Sequence, residues 1–233
     1  MSLPNERDMD SSNSTLRRSF LSRLAKGSLA LAATSLFARP AGAMSNENSA
    51  ADDEPWLKGL AAKKHKQVFD AANANGGFPF MFASAYMGTM AATYKLAPTD
   101  VGALVVGRHM GMPVMLNDAM WAKYQIGKMI NVIDPATNAP STRNIFYHSK
   151  PGDMMNIAAS SDKLMTQGVL LGACNVAMTA LSGMAAAAMS MKPEDAYADW
   201  KGGLLQGVQL LPSGVLAIGR AQEIGCTYCY GGG

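Results

Sequence analysis

The chain is poor in charge: only 16% of its 233 residues are Asp, Glu, Lys or Arg. Aromatics are also scarce at 7%, and there are three cysteines. Three cysteines cannot staple a fold of this length, which excludes a disulfide scaffold. Low charge with 48% hydrophobic residues excludes an intrinsically disordered chain, which combines low hydrophobicity with high net charge. The sequence has no G-x-S-x-G, H-E-x-x-H, G-x-G-x-x-G or P-loop, so serine hydrolase, zincin, dinucleotide oxidoreductase and nucleotide phosphatase are disfavoured and no cofactor is expected. No uncharged run reaches the roughly 18 residues of a membrane helix without glycine and polar interruption. Val176 to Met191 comes nearest, and Thr179, Ser182, Gly183 and Ser190 suit a small-residue helix packed on a sheet. No stable membrane anchor is expected. Nothing repeats at a fixed period, which removes solenoids and propellers.

The formal charge of +3 belongs entirely to the first 43 residues, which hold six basic and three acidic side chains. Residues 44–233 carry 14 of each sign. A neutral domain has no electrostatic footprint for nucleic acid or an anionic membrane surface.

The basic leader has the parts of an export signal. Arg17-Arg18 precede Ser19-Phe20-Leu21, an apolar stretch of 11 residues runs from Gly27 to Phe37, and Ala41-Gly42-Ala43 fits a small-residue cleavage site. This resembles a twin-arginine (Tat) signal, with Leu16 where Ser or Thr usually precedes the pair. The resemblance implies a mature start near Met44, passage through the Tat translocase as a folded protein, and a periplasmic location. Residues 44–58 read as a flexible linker, because Ser45 to Glu54 is polar and acidic.

From residue 59 to 230 apolar runs alternate with helical patterns, which predicts an α/β domain. Strands are expected at Lys66–Phe69, Val101–Gly107, Gly168–Gly172 and Gly207–Leu211, with a last one within Cys226–Tyr230. Helices are expected at Phe78–Tyr94, Ala119–Met129 with Asn117 as cap, Asn175–Met191, from Pro193, and Pro212–Ile224. Residues 231–233 form a glycine tail. The pattern predicts a three-layer α/β/α fold around a mainly parallel sheet of about five strands.

Ligands of such sheets bind beyond the carboxyl ends of the strands. That rim should carry Asp70, then Arg108 and His109, then Cys174 and Asn175, then Ser213. Cys174, between a strand and a helix start, is the candidate nucleophile, since unpaired backbone N–H groups there favour a thiolate. An inert buried cysteine is the alternative. Cys226 and Cys229 form a C-x-x-C in poor redox context. As strand residues three apart they face opposite sides, about 10 Å from each other. A Cys174–Cys229 pair remains open, beside structural roles for both. His109 with Met110, Met112 and Met115 places an imidazole and three thioethers within seven residues, a set that suits Cu(I), although methionine fills helix cores throughout the chain.

Three segments carry a resemblance: Lys64-His65-Lys66-Gln67-Val68-Phe69-Asp70, Leu116-Asn117-Asp118-Ala119-Met120-Trp121-Ala122-Lys123-Tyr124, and Leu211-Pro212-Ser213-Gly214-Val215 with Arg220-Ala221-Gln222. Together they resemble exported DsrE/DsrF-like proteins over most of residues 60–230. The resemblance implies a small α/β/α fold, homo- or hetero-oligomeric assembly with a homo-oligomer expected here, and sulfur relay as a cysteine persulfide, with Cys174 in the position of the working cysteine and a donor or acceptor protein as partner. Asn117, in the second segment, joins Asp70, His109, Asn175 and Ser213 as a candidate rim or pocket residue. The alternative is a non-enzymatic module that binds a small ligand or copper and assembles through its apolar surface.

Overall fold

The computed structural model describes residues 54–153 and 157–232. The leader, its cleavage site and residues 44–53 of the linker lie outside these residues.

Five strands form one parallel sheet: β1 (His65–Ala71), β2 (Val101–Gly107), β5 (Leu170–Cys174), β6 (Gln209–Leu211) and β7 (Thr227–Tyr230). Their order is β6-β5-β2-β1-β7. The central strand β2 is buried at all seven positions, as its unbroken apolar run requires. Its side chains alternate between two cores. Val101, Ala103 and Val105 join the larger one, whereas Leu104 and Val106 face the smaller.

Helices α2 (Phe78–Tyr94), α5 (Ser161–Thr166), α6 (Asn175–Ala188) and α7 (Pro193–Gly202) supply the larger core. Helices α1 (Pro55–Ala61) and α8 (Gly214–Glu223) supply the smaller one through Leu60, Ala217 and Ala221. Two helical layers with a parallel sheet between them make a three-layer α/β/α fold. Among the described residues no helix is long and apolar enough to cross a membrane.

Local chemistry accounts for several boundaries. Helix α2 opens with Pro79 in its first turn and closes on Lys95 in the left-handed region, with Pro98 beyond. Asn117 caps α3 (Asp118–Lys123) by accepting from the Met120 N–H at 3.1 Å. Other boundaries depart from the sequence pattern. The helix expected over Ala119–Met129 breaks at Gln125 (φ 49°), and α4 (Ile126–Met129) follows as a separate turn. The break lets Gly127 lie against the Ser141 backbone, where a Cβ would come within 2.2 Å of the Ser141 carbonyl oxygen. Helix α6 ends at Ala188, three residues short of Met191, with Ser190 at positive φ. Residues 55–58, which the composition assigns to the linker, belong to α1, whose Leu57 and Leu60 are buried. The polar stretch from Asp134 to Ser149 holds a two-residue antiparallel hairpin, β3 (Ile133–Asp134) with β4 (Ala139–Pro140).

Gly231 is part of the packed fold. Its N–H donates to the Asp70 carbonyl, its carbonyl accepts from Asn75 Nδ2, and a Cβ there would stand 2.8 Å from Pro79.

Candidate functional site

Topology selects one crevice on the rim. The links from β1 to β2, β2 to β5 and β5 to β6 all step in one direction along the sheet. The link from β6 to β7 returns across it. Right-handed crossovers therefore put the first three links on one face and α8 on the other, in agreement with the two cores. The carboxyl ends of the neighbours β5 and β6 thus lead to opposite faces. That divergence is the topological switch point at which open α/β sheets bind ligands.

Cys174 is the last residue of β5 and the N-cap of α6. Its Sγ accepts from the Ala177 N–H at 3.4 Å, and the residue is 5% exposed. Across the crevice, Leu211 ends β6 and Ser213 is the N-cap of α8, with no capping hydrogen bond from its side chain. Gly214 opens α8 in very close quarters. A Cβ at this position would lie 2.6 Å from Arg108 Cβ and 3.2 Å from Cys174 Cβ. Cys174 and Arg108 therefore spring from adjacent points around one glycine.

Arg108 follows β2 directly and is fixed from below. Its Nε donates to Asp70 Oδ1 at 2.7 Å and its Nη2 to Asp70 Oδ2 at 2.8 Å. Asp70 is 2% exposed, and its Oδ2 also accepts from the Tyr228 hydroxyl at 2.9 Å. A buried carboxylate needs such a fork of donors to offset its lost hydration. The hydrogen bonds to Asp70 hold the guanidinium above its ordinary pKa, against the opposing effect of burial. Burial, and then the bond to Asp70, push the Tyr228 hydroxyl up.

The remaining rim residues have other employment. Asn175 Oδ1, at the first turn of α6, accepts from the Tyr197 hydroxyl at 2.8 Å. Asn117 spends its side-chain oxygen on the α3 cap. His109 is exposed and in the left-handed region at φ 48°. The thioethers after it do not form an open cluster: Met112 and Met115 are fully buried in the larger core and Met110 packs against it. Among the described residues no group of three or more His, Cys, Asp or Glu side chains is placed to hold a metal ion. His148, which has no evident partner in the sequence, pairs through Nδ1 with Asp162 at 2.8 Å.

All three cysteines are free. Cys226 belongs to the smaller core and Cys229 packs against the larger. Burial pushes the Cys226 thiol up to about 11, against the pull of Lys66, and also raises Cys229. The strand order corrects the idea of a Cys174–Cys229 pair. β7 and β5 are separated by β1 and β2, three strand spacings or about 14 Å, beyond any disulfide.

Sequence reasoning placed Asp70, Cys174 and Ser213 at this end of the sheet, where the structure has them. It passed over Tyr228 and Gly214. Asp70 was itself a signal for the cluster, because a carboxylate inside an apolar strand calls for a cation and a further donor.

Compared with known protein families and with curated proteins, the chain matches none. Among solved structures it is similar to a protein of unknown function from Methanobacterium thermoautotrophicum, at 20% identity and TM-score 0.39, over 71% of this chain and 98% of that one.

Proposed function

We propose that this chain is an exported DsrE/DsrF-like protein that relays sulfane sulfur through a persulfide on Cys174. In this reading residues 1–43 are a twin-arginine signal, 44–58 lead into the working domain, and the protein acts in the periplasm. The observation that carries it is the position of Cys174: last residue of a parallel strand, N-cap of a 14-residue helix, at the switch point of the sheet. The first-turn Ala177 N–H already donates to Sγ, so the helix start offers hydrogen bonds to sulfur at this position. The S–S bond would also carry the outer sulfur about 2 Å further out than Sγ, which suits a donor thiol that is nearly buried.

Protein purified from its native export route without reductant tests this. Exposure to polysulfide should add one or more sulfur atoms to Cys174 by intact mass and peptide mapping, removable by reductant. Loading should vanish in Cys174→Ser. A Cys174→Ser protein that loads like the wild type overturns the proposal.

Homo-oligomeric assembly forms part of the same reading. Its support is the outer face of α6, where Val176, Thr179, Ala180, Met184, Ala187 and Ala188 are exposed without one charged side chain.

A further inference from the structure

Resting on the persulfide reading, we propose that Arg108 is the anion-recognising residue of the crevice, and that it selects a compact sulfane donor with an oxoanion leaving group, the thiosulfate class. Arg108 carries five N–H donors in a rigid fork. Asp70 occupies two of them, from the buried side. The rest of the guanidinium belongs to a side chain 29% exposed, above a carboxylate whose side chain is only 4% exposed. The pair is neutral as a whole, but its positive end is the accessible one.

Arg108 and Cys174 share the neighbourhood of Gly214, as the distances from its would-be Cβ establish. The guanidinium is drawn toward Asp70, so an anion on its free donors is held at the crevice that Cys174 borders. Cys174 is exposed at only 5%, so a donor must be small, and a persulfide buried on a partner protein is a poor fit. Arginine matches a planar or tetrahedral oxoanion better than lysine does, because its fork can donate two bonds at once. Asp70 and Tyr228 act as positioning residues, since both reach the donor only through Arg108.

The step balances without an oxidant. Cys174 loses its thiol proton to solvent, and the thiolate attacks the outer sulfur of thiosulfate. The donor's S–S bond breaks, its electron pair leaves with sulfite, and a Cys174 persulfide anion remains. Arg108 offsets the charge that collects on the departing sulfite.

Thiosulfate and sodium polysulfide, offered separately to the purified exported protein, test the inference. Mass spectrometry reads Cys174 loading and a colorimetric assay reads sulfite. The wild type should load from both, releasing one sulfite per sulfur with thiosulfate only. Arg108→Gln should lose about tenfold or more of the thiosulfate rate, the weight of one charged hydrogen bond, and clearly less of the polysulfide rate, because polysulfide has no oxoanion leaving group for the fork to hold. Arg108→Lys should recover part of the loss. If Arg108→Gln does not fold with Asp70 left unpaired, Asp70→Asn with Arg108→Gln removes both buried charges and must show the same selective loss. A wild type that loads from polysulfide and not from thiosulfate overturns this inference and leaves the relay standing. Equal slowing with both donors also overturns it, because polysulfide is an anion too and Arg108 would then show no preference for an oxoanion leaving group. Loading from neither overturns the relay itself.

Discussion

One missing methyl group decides the spacing of the crevice. At position 214 a Cβ would meet Arg108 Cβ at 2.6 Å, and that atom is the root of its side chain, with no freedom to swing away. Gly214→Ala should therefore cost about 1–3 kcal/mol through overpacking and slow Cys174 alkylation or loading as Arg108 shifts. Gly88 in α2 is the contrasting case, exposed and with nothing within 4 Å of its would-be Cβ. Gly88→Ala should raise stability by about 0.5–1 kcal/mol, since glycine is entropically costly in a helix interior. Chemical denaturation of both variants checks the pair, and equal shifts in the same direction would mean that the close approach at Gly214 is not real. Residue 214 also marks where sequence reasoning stops. Ser213-Gly214 reads as an ordinary helix start, and only the packed structure shows what glycine makes room for.

At the scale of elements, one arginine joins two carboxylates within the polar link between β2 and β5. Arg143 Nε donates to Asp134 Oδ2 at 2.8 Å, and its Nη1 donates to Asp153 Oδ2 at 3.0 Å. The bonds from Arg143, then that from the Ala136 N–H, hold Asp134 below the usual carboxylate range. Burial pushes Asp153 up, but Arg143 and the Lys150 N–H outweigh it and leave it lowered. Carboxylates depressed in the folded state add stability that is present above their unfolded pKa of about 4 and is lost as pH falls through the folded values. Arg143→Met should cost about 2 kcal/mol near neutral pH, and its deficit against the wild type should shrink as the pH falls from about 4 through the lowered folded values. Urea midpoints across that range measure it, and a deficit constant with pH would remove the ion pairs as the cause. Composition marks 134–149 as loop, which the backbone largely is. The clamp within it escapes a sequence reading because Asp134 and Arg143 are spaced to no helix or strand period.

The whole molecule presents a charge-free helix to solvent. Monomers seldom leave such a face uncovered, so the protein at micromolar concentration should sediment as a dimer or larger, and Met184→Lys should move it toward the monomer with its circular dichroism unchanged. A wild type that is monomeric at all concentrations would sink the assembly proposal. The sequence by itself determined the layers. Seven successive apolar residues, three of them valine and two glycine, suit a doubly covered strand, and Pro79 and Pro98 bracket the helix over Phe78–Tyr94, because burial and backbone hydrogen bonding act locally. It likewise put Asp70 and Cys174 on one rim, because parallel strands all end on the same side. Tertiary structure alone decided which rim residues meet. The return of the chain after β6 sets β7 beside β1, so that Tyr228 bonds to Asp70 across 158 positions, and it opens the crevice where α8 lays Gly214 against Arg108 and Cys174. Strand order depends on the packing of every crossover at once, and no local pattern in the sequence records it.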